Sequence, residues 1–123
     1  YGLQDGDIEK MLMESMEYAK EDITEKLLAE ARIDASRMIY SVEKAMEVDN
    51  DLLIDSERDK IGKSIEELKK SIKGNDIEII DFNMQELDKI STPFAERRMN
   101  RAFKGVLEGS DVEQISSQLN IGD

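Results

Sequence analysis

From Gly2 to Met46 the chain reads GLQDGDIEKMLMESMEYAKEDITEKLLAEARIDASRMIYSVEKAM, and this stretch constrains the fold more than any other. It has the pattern of one helix running into a second, far longer one, with too few apolar residues to bury itself. Asp5 and Asp7 suit the positive end of a helix that carries Ile8, Leu12, Met16 and Ala19, so the first helix is expected over about 5–18. Between Ala19 and Asp22 polarity rises without Pro or Gly, and both a bend and an uninterrupted helix fit. From Lys20 to about Val48 neither breaker occurs, which at ~1.5 Å per residue makes a helix roughly 40 Å long. Its second half bears a stripe at Ala31, Ala35, Met38, Ile39, Val42, Ala45 and Met46, spaced for packing in a bundle. Its first half offers chiefly Ile23, Leu27 and Leu28, so it is built to lie on something this chain lacks.

The composition agrees with a helical bundle. At 123 residues the chain is one module; aromatics are 5%, charged residues 37%, and the apolar set is mostly Ile, Leu, Met and Ala, which argues against a β-sandwich or barrel. The net charge of −12 repels phosphate backbones and anionic head groups, so nucleic acid and membrane surfaces are not expected partners. No apolar run approaches the ~20 residues of a membrane span, and Tyr1 onward lacks a signal-peptide pattern, so a soluble, cytoplasmic chain is expected. With no cysteine and no histidine, thiolate sites, the commonest general base and the commonest transition-metal ligand are excluded. Gly62, Gly74, Gly105 and Gly109 are isolated and build no phosphate loop. The chain is therefore expected to be non-catalytic, with no cofactor or metal of its own.

Beyond Val48, Asp49–Asp51 end the long helix, and Leu52–Ile54 lead into a helix capped by Asp55 or Ser56. Ile61, Ile65, Leu68 and Ile72 form its buried stripe and Gly74 stops it. Asn75 with Glu78 makes a capping-box pattern for a helix that buries Ile77, Ile80, Met84, Leu87 and Ile90. Thr92–Pro93 reads as a cap and first-turn proline, starting a last helix through Phe94, Met99, Ala102, Phe103 and Val106 that ends near Gly105 and Gly109. Ser110–Asp123, with Val112, Ile115, Leu119 and Ile121, supports only a weak turn of helix in a flexible tail. The expected fold is all-α: a short helix leading into one long helix whose C-terminal half packs with two or three shorter helices in an antiparallel up-and-down bundle. Residues 1–30 form an arm, 31–109 the bundle and 110–123 the tail.

This order, together with the acidic DIEKML segment after GL, the YAKED junction and the IKGND link between helices, resembles the carboxy-terminal lid of DnaK-type heat-shock chaperones over essentially the whole chain. LLAEARIDASRMI and FAERRMNRAFKG are most similar to the HscA branch, which serves iron-sulfur cluster assembly. The resemblance implies a full-length protein with an ATPase domain, which holds ATP and Mg, then a β-sandwich that grips an extended peptide, then this lid closing over it. It also implies a J-domain co-chaperone and, as client, a peptide or the iron-sulfur scaffold protein. The ATPase domain and the sandwich lie outside this chain.

Ile8, Met11, Leu12, Met16, Ile23 and Leu27 are the expected sandwich-facing residues. In general DnaK proteins an acidic residue and a histidine latch the long helix to the sandwich; by the resemblance these places fall at Ser36 and Tyr40, and neither matches the pattern. The other reading is a free-standing helical interaction module whose long helix assembles with itself or with a partner helix; on the lid reading too, the isolated chain is expected to self-associate as a homodimer, because the arm's apolar face lacks its natural cover. Three further features have two readings each. Met11, Met13 and Met16 make either an adaptable surface or one packed on a fixed neighbour, the second favoured, with Met13 the exception. Asp49, Asp51 and Asp55 are better read as solvated helix-end carboxylates than as a metal loop. Arg97, Arg98, Arg101 and Lys104 are better explained by pairing within the chain than by an acidic partner.

Overall fold

The computed structural model describes residues 4–109, which form helix α1 (Asp5–Val48), a 3-10 turn (Asn50–Leu52), helix α2 (Asp55–Lys73) and helix α3 (Ile77–Gly109). The tail read for 110–123 lies outside the described residues.

Helix α1 is uninterrupted over 44 residues, about 65 Å at the usual rise. The expected junction at Ala19–Asp22 is resolved without a bend: no residue there removes a backbone donor, Thr24 Oγ1 donates to the Lys20 carbonyl at 2.9 Å, and Lys26 pairs with Asp22 one turn back at 3.3 Å. Residues 4–27 are exposed throughout; Leu28 is half-buried and full burial begins at Ala31.

From that point α1 joins a three-helix up-down-up bundle. It contributes Ala31, Ala35, Ile39 and Ala45, with Met38, Val42 and Met46 partly buried; α2 contributes Ile61, Ile65 and Leu68; α3 contributes Ile80, Leu87 and Phe94. Two of α1's core positions are alanines four residues apart, whose small side chains permit close helix approach. The three-residue link Gly74–Asp76 makes α2 and α3 antiparallel neighbours, and they share the bundle's largest interface. Leu53, from the link between α1 and α2, closes the other end of the core.

The two ends are clasped by arginines. Where α1 enters the bundle, Arg32 Nε donates to the Ile72 carbonyl at 3.0 Å, and its Nη2 to the Gly74 carbonyl at 2.7 Å and to Asn75 Oδ1 at 2.8 Å. One guanidinium thereby satisfies carbonyls left open at the end of α2. At the far end, Arg97 Nε donates to the Leu52 carbonyl at 3.1 Å and its Nη2 pairs with Glu57. Arg98 Nε pairs with Asp49 at 2.7 Å, and Arg101 Nη1 reaches Asp51 at 3.1 Å. These contacts decide in favour of pairing within the chain, and they make Asp49 and Asp51 acceptors for arginine.

Three local expectations are corrected. Thr92–Pro93 does not start a new helix; α3 runs through Pro93 to Gly109. An internal proline costs about 3 kcal/mol by removing one backbone hydrogen bond and crowding the preceding turn. Opposing that cost are burial of Phe94, only 2% exposed and worth about 1.5–3 kcal/mol, and the Arg97 and Arg98 contacts one turn later. Ser91 and Thr92 turn their hydroxyls back to the Asp88 carbonyl at 3.2 and 2.6 Å, so Thr92 serves the preceding turn instead of capping a new helix. Consequently two shorter helices, not three, complete the bundle.

At the start of α3 the cap is Asp76, whose Oδ1 accepts from the Glu78 and Ile79 amides at 3.0 and 3.3 Å, because Asn75 is engaged by Arg32. Helix α2 begins at Asp55 after Ile54, whose amide donates to Glu57 Oε1 at 3.2 Å; that reach-back replaces a side-chain cap from Asp55 or Ser56.

Removing residues 1–27 should therefore leave a bundle that still unfolds cooperatively within a few degrees of the parent, as read by calorimetry; Phe94→Ala should lower its stability by about 3–5 kcal/mol. The Arg101 guanidinium holds the Asp51 carboxyl below its ordinary value of 3.8. Because the folded-state value is depressed, this contribution is present above about pH 4 and is lost as the pH falls through the folded value. Arg101→Gln should flatten the acid limb of a stability-versus-pH curve without changing its alkaline limb.

Candidate functional site: an unpartnered helical arm

Residues 5–27 of α1 project from the bundle, and their sequence determines one oily side. Ile8, Leu12 and Met16 follow at intervals of four, Ile23 comes seven after Met16, and Leu27 four after that, so they form a continuous stripe along one side of the helix. The remaining positions are mostly charged: between Asp5 and Glu30 there are nine acidic residues and three lysines. Met11 and Met13 flank the stripe near its tip.

Each expected sandwich-facing residue stands open to solvent, from Ile8 at 43% to Met16 at 70%. They share one rigid helix, and no described part of the chain covers them. An apolar surface of this length is larger than the scattered exposed hydrophobics of an ordinary monomer. The arm is also aimed: the Arg32 fork fixes α1 at the link between α2 and α3, so its direction is set by the bundle. Arg32 was not singled out in the sequence, where nothing marks a partner some 40 residues away.

Ser36 and Tyr40 lie one turn apart on the bundle half of α1, both exposed. Ser36 borders a shallow groove between α1 and α2 lined by Ile39, Glu66, Lys69 and Ile72. Lys69 is drawn to Glu43 of α1 at 3.0 Å, and this pairing raises its ammonium above the usual lysine range. These two positions thus offer a hydroxyl and a phenol, neutral hydrogen-bonding groups, where a charged latch would need an ion.

A second exposed apolar group lies at the far end of α3, at Met99, Phe103, Val106 and Leu107. Of the apolar residues expected along a last helix, Phe94 alone enters the core. Among the described residues no helix is long and apolar enough to cross a membrane.

The arm and almost all of the bundle fall within residues 1–100, the span matched by the family model described as Hsp70 protein. The chain is 42% identical over 115 residues to the chaperone protein HscA of Photorhabdus laumondii and 44% identical over 115 residues to the chaperone protein HscA homolog of Mannheimia succiniciproducens, in each case covering 94% of this chain and 19% of the relative. The HscA homolog of Vibrio campbellii is 40% identical over 116 residues, with the same coverage. The chain thus spans about a fifth of the length of these relatives. A family match across four-fifths of the sequence, on an all-helical bundle with an arm held clear of it, has one consequence for classification: this chain belongs to the Hsp70 protein family.

Proposed function

We propose that this chain is the lid of an HscA-like molecular chaperone, a non-catalytic element that closes over peptide held in a β-sandwich elsewhere in the full-length protein and slows its release during iron-sulfur cluster assembly. The observation that carries the reading is the exposed stripe from Ile8 to Leu27 on a helix whose direction the bundle fixes. In this reading ATP and its Mg²⁺ are bound by a separate ATPase domain, a J-domain co-chaperone acts through that domain, the client is a peptide or the iron-sulfur scaffold protein, and the site of action is the cytoplasm.

Closure helps only if the arm gains more contact with the sandwich in one nucleotide state than in the other. Half-covering six aliphatic or thioether side chains is worth roughly 4–9 kcal/mol before the ordering cost of docking. That exceeds the ~1–3 kcal/mol typical of coupling between sites, so the arm suffices without an ion-pair latch. Ser36 and Tyr40 then act as neutral contacts at the base of the arm.

In the full-length protein, Leu12→Asp with Met16→Asp should speed peptide dissociation by about tenfold or more while leaving the bundle's melting temperature unchanged. Unchanged release with an intact bundle would count against the lid. The arm's exposure also favours a second reading for the isolated chain, in which two copies cover each other's stripes at high concentration; a monomer by light scattering throughout the millimolar range would argue against it.

A further inference from the structure

We propose that Met11, Met13 and Met16 form a hydroperoxide-sensitive modification site whose oxidation to sulfoxide holds the arm in its undocked state. This rests on the lid reading above and adds a control to it.

Seven methionines occur in the chain, and three of them fall within six residues at the tip of the arm. All three are open to solvent, at 54, 65 and 70%. Met38, Met46 and Met84, by contrast, are half-buried in the bundle. Oxidant reaches sulfur by access, so the arm reacts ahead of the core. Met16 lies within the docking stripe, four residues after Leu12, while Met11 and Met13 widen it on either side. Leucine at these places would supply equal apolar surface without a reactive sulfur.

The step is balanced. A hydroperoxide delivers one oxygen to the thioether: its O–O bond breaks, an S–O bond forms, and the proton of the transferred oxygen passes to the departing one. Sulfur loses two electrons and the peroxide is reduced to water or an alcohol. The helix tolerates the product because the side chains project into solvent, so the folded bundle is unaffected. Docking is not indifferent, since a sulfoxide pressed against apolar surface without a donor carries a desolvation penalty. With the arm docked the sulfurs are shielded; reaction proceeds from the open state and its product favours that state. Sulfoxide reductases restore the thioether, so the change is reversible.

Met99 is an internal control: at 72% exposed it should oxidise as readily, yet it lies on α3 away from the arm. The test treats the full-length protein with hydrogen peroxide, follows each methionine by mass spectrometry and measures peptide release. Met11, Met13, Met16 and Met99 should oxidise before Met38, Met46 and Met84, and release should accelerate by about tenfold or more. The Met11→Leu, Met13→Leu, Met16→Leu triple variant, whatever its own untreated rate, should show no acceleration of release on peroxide treatment, while its Met99 still oxidises. Complete sulfoxide at the three arm positions with unchanged release, or a triple variant that still responds, would overturn the proposal. Removal of residues 1–27 from the full-length protein is measured alongside. If that deletion speeds release and oxidation does not, the modification site fails alone; if the deletion leaves release unchanged, the lid reading and the modification site fall together.

Discussion

Packing of Ala31, Ala35 and Ile39 into the core formed with α2 and α3 is the interaction on which the rest of the structure depends. It converts a helix with a weak apolar face into a lever with one end held. Before Leu28 nothing described covers α1, and isolated helices in water are marginal even when their sequences favour them. The arm's helicity is therefore propagated from a nucleus that the bundle provides. Uninterrupted hydrogen bonding from Val48 back to Asp5 links the fixed and free parts without a flexible joint.

The arginine clasps explain how so small a core defines that geometry. Among the described residues eleven apolar side chains are buried, and a core of that size leaves helix ends prone to fray. Arg32 closes the end from which the arm leaves, and Arg97, Arg98 and Arg101 close the other, where Arg98 also lies over the Phe94 ring at 5.8 Å. These pairs are partly exposed, so their individual contributions to stability are small. Their effect is positional: each crosses between segments far apart in sequence and fixes one helix end against another.

Much of this was legible in the residues. The bundle stripes on α1, α2 and the first half of α3 follow strict helical spacing, and their burial matches residue for residue at Ala35, Ile39, Ile61, Ile65, Leu68, Ile80 and Leu87. The exposure of Ile8, Leu12, Met16, Ile23 and Leu27 was legible too, because the arm's apolar residues are too sparse to enclose. What local pattern misjudged was Pro93. Thr-Pro is a good helix start in isolation, yet Phe94 and Arg97 gain more by continuing the helix than a cap would gain by restarting it. Asn75 was misjudged for a related reason: Arg32, distant in sequence, claims its side chain and leaves the cap to Asp76. Each correction stems from a tertiary partner that spacing cannot reveal.

The central claim is that the bundle holds together unaided while the arm stays helical but uncovered. Amide hydrogen exchange on the isolated chain tests this most directly, since protection reports the free energy of local opening. The account predicts that core amides of α1 beyond Ala31, of α2 and of α3 up to Phe94 exchange only at the rate of global unfolding, whereas residues 5–27 exchange far faster through local fraying. Protection of the arm equal to that of the bundle, at a concentration where the chain is monomeric, would contradict it.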